Sequence, residues 1–358
     1  MAREISVMMC GPSLRAKGGI AAAASTLMAQ APLGRMGVGY IATWTDGPIH
    51  ERVVTFLGSV VRLVRWAKPG RVVHLHMASR GSFLRKATIQ ALVRAKGART
   101  VIHLHGGQFH TFAESAPRLL KRAIRRAFRQ ADAVIVLSES WRERVAVFSG
   151  RTDAVVVPNP VDIPRTSAAF QHPRRVVFLG WLGRRKGTYD LLDAIRILQE
   201  SGRDDVRWVL AGDGDVSQCR RVARTLPYPD RVEIPGWVSG SDVEELLRES
   251  WVFCLPSYDE GLPIALLQAM AAGVACVVTP VGGIPDYIED RVNGVMVPVG
   301  DVGSLAVALD ELLSSEAACV KLGQAARASV ESRCSASIVA AKIAGIYDNL
   351  LSDAGERP

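Results

Sequence analysis

Glu260 stands at a turn between an apolar strand and an apolar helix, in the stretch SYDEGLPIALLQAMAAGVACVVTPVGGIP (257–285). Gly261 and Pro263 make the turn, and an apolar helix is expected from Ile264 to Ala272. The turn amides and the helix N-terminus converge on one place, which suits an anion such as a diphosphate. A carboxylate there repels phosphate, so Glu260 is expected to face hydroxyls or a cation. The two demands together describe a sugar nucleotide. A second glycine turn follows at Gly282 and Gly283.

Other groups qualify by type and spacing. GRRKG (183–187) sets three cations between glycines after a strand, and Arg185 and Lys186 can grip a diphosphate, the first as a planar fork and the second as a point charge. The alternative is a solvated surface turn. Gly18 and Gly19 lie between the first strand and first helix, where absence of Cβ admits a ligand close to the backbone; a plain turn is the other reading. The loop lacks GxGxxG and is not read as a nicotinamide site. His74 and His76 alternate on one strand and His103 and His105 on the next, so each pair shares a face. Four histidines can hold a metal, but neither segment supplies a carboxylate or cysteine ligand. Asp213-Gly214-Asp215 mimics a DxD metal motif, yet its glycine after a strand reads as a turn. No obligatory metal or other cofactor is expected.

The segments 260–288 and 293–301 (NGVMVPVGD) resemble the donor-binding signature of glycosyltransferase family 4. The similarity extends to FLGWLGRRKGTYDLLDAI (178–195), VLAGDGD (209–215), VEIPGWVS (232–239), the glycine pair at 18–19 and HLHGGQFH (103–110), in the family's order. The resemblance implies a GT-B fold and transfer with retention of anomeric configuration. It implies Lys186 and Arg185 on the donor diphosphate, Glu260 with Gly261, Leu262 and Pro263 on the donor sugar, and the Val238 backbone near the base. Gln268 falls where the family's second glutamate meets the ribose, and an amide there hydrogen-bonds a hydroxyl without charge assistance. Gly19 and His105 are expected to approach the donor from the first domain, with His105 near the sugar. Glu260, His105 and Lys186 are the expected catalytic residues. Many members carry Arg where this chain has Trp181, and Arg185 is expected to supply that charge.

Short β-branched runs alternate with helical patterns along the chain, which indicates parallel strands with crossover helices. The pattern starts with ISVMMCG (5–11) and restarts at RVVFLG (175–180). The expected fold is therefore α/β, with two tandem Rossmann-like doubly wound domains facing a cleft. Their expected limits are 1–165 and 166–334, with a Pro-rich joint at 159–173. By family analogy, 335–358 includes a helix packing back on the first domain. A helix is expected over Ile20 to Ala31, another over 51–67, and a basic one over 117–130. The last aligns Arg118, Lys121, Arg122, Arg125, Arg126 and Arg129 in one cationic stripe.

Residues 1–170 carry 25 Lys+Arg against 9 Asp+Glu, a net +16, and the remainder carries 19 against 26, a net −7. The basic half is expected to meet an anionic membrane surface, with Trp66 suited to the interface. No aromatic-interleaved platform accompanies the charge, so nucleic acid is not an expected partner. No apolar run approaches the roughly 18–20 residues that cross a bilayer. The six scattered cysteines form no CxxC pair and read as small core residues of a cytoplasmic protein.

The expected activity is transfer of a sugar from a UDP- or GDP-sugar to a saccharide acceptor, expected to be lipid-linked, at the inner face of a membrane in cell-surface polysaccharide synthesis. The alternatives are a sugar-nucleotide epimerase or hydrolase of the same architecture and a catalytically inactive, membrane-recruited binding protein.

Overall fold

The computed structural model describes residues 5–168 and 173–352. Residues 1–4, residues 169–172 of the expected joint, and residues 353–358 of the expected C-terminal segment lie outside the described residues. Two compact units divide the chain, one of Met1–Pro160 with Cys334–Pro358 and one of Val161–Arg333.

The first unit holds β1 (Val7–Pro12), β2 (Val38–Trp44), β3 (Val72–Met77), β4 (Arg99–Leu104), β5 (Ala133–Val136) and β6 (Val155–Val156). All pair in parallel, in the order β2-β1-β3-β4-β5-β6. The second holds β7 (Arg174–Leu179), β8 (Val206–Ala211), β9 (Val232–Gly236), β10 (Val252–Leu255), β11 (Ala275–Val278) and β12 (Val295–Met296). These too are parallel, in the order β12-β11-β10-β7-β8-β9. The central strands are buried along their length because helices cover both faces of a parallel sheet, and their unbroken apolar runs follow from that.

Local chemistry explains where elements differ from expectation. The helix expected over Ile20 to Ala31 runs Gly19–Met28, and a short helix Ala31–Arg35 follows. Pro32 causes the break: a proline is tolerated in a first turn and not within a helix. β6 stops at Val156, two residues before Pro158, which has no N–H to extend a ladder. Gly273, at φ 76°, ends the helix Ile264–Ala271, and its N–H donates to the Met270 carbonyl at 2.9 Å.

The two faces of the first sheet differ in chemistry. On one, Met8, Cys10, Val73 and Leu75 build an apolar core under the helices Ile49–Trp66 and Gly81–Ala95. On the other, Val7, Met9, Val72 and Val101 join the helix Ala336–Ser352 through Val339, Ile343 and Tyr347. His74, His76 and His103 are buried. The Tyr347 hydroxyl lies 2.7 Å from His74 Nδ1, and His74 Nε2 lies 3.2 Å from His103 Nδ1. One ligand atom from each of His74, His76 and His103 lies within 4.8 Å of the others. Burial keeps these rings neutral, pulling His74 down to about 3 and His76 and His103 well below their ordinary range. All six cysteines are buried and free.

In the second unit Gly187, at φ 67°, lets two loops touch. A Cβ there would lie 1.9 Å from the Pro256 carbonyl oxygen. Gly187→Ala is expected to cost about 2–4 kcal/mol, combining left-handed strain with overpacking. Gly202→Ala, at φ 93° with open space around it, isolates the strain alone and is expected to cost less. Urea unfolding of the two variants checks the difference; equal costs would remove the contact from the account.

The histidines give a second expected outcome. The unfolded chain protonates them near pH 6.5 while the fold keeps them neutral, so the unfolded state binds more protons below that pH. The stability they contribute is complete above pH 6.5 and falls as pH drops toward 4, by on the order of 1 kcal/mol per pH unit for each ring. Urea unfolding between pH 7 and pH 5 should show this slope, and His74→Phe should flatten it. An unchanged slope in that variant would contradict burial of His74 in its neutral form.

Candidate functional site

The second sheet winds outward in two directions from β7. The chain passes from β7 to β8 and β9 on one side, then crosses to β10, β11 and β12 on the other. Loops after β7 and β10 therefore leave in opposite directions and open a crevice between them, the usual ligand position in open α/β sheets. Lys186 follows β7 and Glu260 follows β10.

The β7 loop is held by backbone pairing. Leu182 bridges to Gly214, and residues Arg184–Lys186 form a 3-10 turn between Gly183 and Gly187. The Gly183 N–H donates to Thr188 Oγ1 at 3.0 Å. Lys186 is thereby aimed at the β10 loop, where its Nζ pairs with Glu260 Oε1. Arg185 stays exposed and donates to the Asp259 carbonyl at 3.1 Å, while the Tyr258 N–H donates to the Arg185 carbonyl at 2.9 Å.

Three further contacts fix Glu260, which is only 5% exposed. Ser257 Oγ donates to the same Oε1 at 2.7 Å. The Thr279 hydroxyl donates to the Ser257 carbonyl and ties the loop to the end of β11. The Gly283 N–H donates to the Gly261 carbonyl at 2.7 Å. Gly282, at φ 59°, makes this approach possible, since a Cβ there would sit 1.9 Å from the Glu260 carbonyl oxygen. Oε2 of Glu260 has no partner among the described residues and is the oxygen left for a ligand hydroxyl. A buried carboxylate is tolerated because Lys186 neutralises it and Ser257 hydrogen-bonds it.

Leu262 and Pro263 are buried, and Pro263 caps the helix Ile264–Ala271, whose first internal bond runs from the Leu267 N–H to the Pro263 carbonyl. The N–H groups ahead of Leu267 face the turn, with no acid in the first turn to neutralise them. Gln268 is half-buried on that helix, and Val238 is half-buried in the segment after β9. The structure thus joins Lys186 and Glu260 by direct contact and ties Arg185 to the same loop through Asp259 and Tyr258, with Gly261, Leu262, Pro263, Gln268 and Val238 on segments that follow β10 and β9. Asp213-Gly214-Asp215 is a turn: Asp213 Oδ1 accepts the Gly214 N–H at 3.0 Å, and Asp215 accepts the Tyr189 hydroxyl at 3.1 Å. Trp181 is 58% exposed.

Gly19 and His105 belong to the first unit. Gly19 opens the helix Gly19–Met28. His105 follows β4 with both ring nitrogens engaged: Nδ1 lies 3.2 Å from Asn159 Oδ1 and Nε2 lies 2.9 Å from His76 Nδ1. An amide oxygen only accepts, so the proton sits on His105 Nδ1, and His105 Nε2 accepts from His76. Burial holds His105 neutral, down to about 4, against the opposing pull of Asn159.

Sequence reasoning missed Ser257, Thr279, Asn159 and His76 as supports. Ser257 stands three residues before Glu260, a spacing that allows a local side-chain bond. Nothing local marks Asn159, which is 54 residues from His105.

Comparison with known proteins follows the same outline. The family model described as Glycosyl transferases group 1 matches residues 162–329, and that described as Glycosyltransferase Family 4 matches residues 25–165. Among curated relatives, the amylovoran biosynthesis glycosyltransferase AmsK of Erwinia amylovora is 29% identical over 64% of this chain and 59% of its own length. The phosphatidyl-myo-inositol mannosyltransferase of Mycobacterium leprae is 33% identical over 56% of this chain and 54% of its own. The matches thus span between about half and three-fifths of these relatives. Sucrose-phosphate synthase from Thermosynechococcus elongatus superposes with a TM-score of 0.80 at 16% identity, covering 97% of this chain and all of that one (100%). HepE of Anabaena, solved in complex with UDP and glucose, superposes at 0.76 with 17% identity, over 96% and 100% of the two chains. These neighbours share the GT-B fold. With both units matched in order by the two models, the chain belongs to glycosyltransferase family 4.

Proposed function

We propose that the chain is a retaining glycosyltransferase that moves a sugar from a nucleoside-diphosphate donor to a lipid-linked saccharide in cell-surface polysaccharide synthesis. The observation that carries this reading is the buried Lys186–Glu260 pair beside the amides of a helix N-terminus, at the switch point of the second sheet. Solved relatives of the same fold that hold UDP or UDP-glucose support a nucleotide-sugar donor.

The donor diphosphate lies on Lys186 and Arg185, its sugar on Glu260 and the 261–263 turn, its ribose on Gln268 and its base by Val238. The bond from the anomeric carbon to the β-phosphate oxygen breaks while a bond to the acceptor oxygen forms on the same face. The acceptor proton passes to the departing phosphate. Negative charge grows on that phosphate, so fixed cations and amides there favour the transition state over the ground state. No obligatory metal is needed, because Lys186 and Arg185 supply the charge. In the first unit the neutral His105 ring is locked through both nitrogens by Asn159 and His76, which leaves it no free nitrogen for proton transfer.

The reading places the protein at the cytoplasmic face of a membrane. Among the described residues, no helix is long and apolar enough to cross a membrane. On the cationic helix Arg118–Gln130 two exposed arginines are engaged by the protein, Arg125 donating to the Phe148 carbonyl at 3.2 Å and Arg129 to that of Ser149 at 3.1 Å. The helix Ile49–Trp66 is the stronger membrane candidate. Ile49, Val53, Leu57 and Val61 line one exposed stripe at four-residue spacing, with Arg52, Arg62 and Arg65 exposed beside it. Trp66 is half-buried and stacks under Arg71, so it contributes less to that stripe than its position on the helix implies. An apolar stripe edged by cations suits an anionic bilayer surface.

Purified protein given UDP- and GDP-sugars with lipid extract should yield glycosylated product by mass spectrometry, with and without EDTA. Glu260→Gln and Lys186→Met should each lower kcat/KM by about a hundredfold or more. Each change also unpairs a buried charge or its partner, so folding is checked by circular dichroism. Near-parental turnover in a folded variant would remove that residue from the site, and release of free sugar without acceptor-linked product would favour a hydrolase. Vesicle sedimentation tests the surface: the protein should pellet with anionic and not neutral vesicles, and Leu57→Glu with Val61→Glu should abolish pelleting. Equal pelleting with both lipids would contradict it.

A further inference from the structure

The first sheet has its own switch point. The chain leaves β1 for β2 on one side and returns as β3 on the other. A cavity of about 300 Å³ opens there, lined among others by Gly18, Gly19, His76, Ser82, Arg85 and Lys86. Its size matches the lower end of ligand pockets, roughly 300–1,000 Å³, so it admits one end of a ligand rather than a whole oligosaccharide.

The cavity wall is cationic and lacks any carboxylate. Lys86 is 1% exposed. Its Nζ donates to Thr43 Oγ1 at 2.6 Å, and that hydroxyl donates onward to the Gly11 carbonyl at 2.9 Å. Lys86 makes no ion pair with a carboxylate among the described residues. A buried ammonium without a counter-ion is costly, and folded proteins avoid it unless something else supplies the charge. Beside it the Arg85 Nε is buried without a partner, and so is His76 Nε2. Two helices, Gly19–Met28 and Gly81–Ala95, begin at this edge, neither with a capping side chain nor an acid in its first turn.

His76 adds an acceptor to this cationic wall. Its Nδ1 carries the proton donated to His105, so its Nε2 presents a lone pair. An anion satisfies Lys86, Arg85 and the helix ends; a hydroxyl on the same ligand satisfies His76. Burial, and then Arg85, bring the Lys86 ammonium down to about 7, as expected of a cation that waits for a counter-charge.

We propose that this cavity is a phosphoryl-binding site of the first unit, with Lys86 and Arg85 facing the anion and His76 Nε2 accepting a hydroxyl of the same ligand. Resting on the transferase reading above, the ligand is the acceptor, which is then a phosphorylated alcohol or saccharide. The donor diphosphate is the other source of the same chemistry.

Isothermal titration of the full chain with glycerol 1-phosphate, glycerol and UDP separates the sources. Glycerol 1-phosphate should bind and glycerol should not. Lys86→Met should weaken glycerol 1-phosphate at least tenfold and leave UDP within twofold, and Lys186→Met should show the reverse pattern. The melting temperature of Lys86→Met should rise, because it removes an unpaired buried charge at similar volume. Should it fall instead, Arg85→Gln takes its place with the same loss expected. No preference for the phosphate over glycerol, or unchanged binding in these variants, overturns the site. A tenfold loss of UDP in Lys86→Met overturns the acceptor assignment and gives the cavity to the donor. Phosphate binding in a protein with no donor turnover would retire the transferase reading while leaving the cavity intact.

Discussion

A strand can lie parallel to its neighbour only if the chain crosses back over the sheet between them. That constraint gathers all carboxyl ends of a parallel sheet on one edge, and the loops that leave them become neighbours in space. Where winding reverses, two adjacent loops diverge, and a crevice is unavoidable. Each unit obeys this rule once, between β7 and β10 in the second and between β1 and β3 in the first. Each groups charged side chains at that place, Lys186 with Glu260 in one and Lys86 with Arg85 in the other.

The two crevices solve the problem of buried charge differently. In the second unit the cation and carboxylate satisfy each other, and Ser257 completes the carboxylate on one oxygen. The pair is therefore stable as it stands while keeping one carboxylate oxygen uncommitted. In the first unit the cation has only a hydroxyl, and its electrostatic requirement is unmet by the described protein. The paired site keeps a carboxylate oxygen for neutral hydroxyls beside cations that can face a phosphate; the unpaired cationic site selects for charge alone.

The histidines of the first unit connect core to edge. Tyr347, from the helix Ala336–Ser352, holds His74, which contacts His103, while His76 links the cavity to His105 and Asn159. Four imidazoles under a helix are tolerable only because desolvation keeps them uncharged and each finds a hydrogen-bond partner. The helix Ala336–Ser352 is thus part of the first unit's core, not an appendage.

Periodicity made most of the fold legible. β3 and the helix Ile49–Trp66 lie within two residues of where the apolar pattern put them, because both are dictated by neighbours in sequence. Glu260, Lys186 and the glycine turns were legible for the same reason: a turn's amides, a helix end and a charge at a loop are local chemistry. What the chain order alone left open was partnership. That Lys186 meets Glu260 across 74 residues, that Asn159 sets the tautomer of His105, and that Lys86 is buried against Thr43, depend on which strands lie side by side. Local sequence determined the elements and the chemical types at their ends; strand order decided which of those groups touch, because contacts between distant residues exist only once the sheet is assembled.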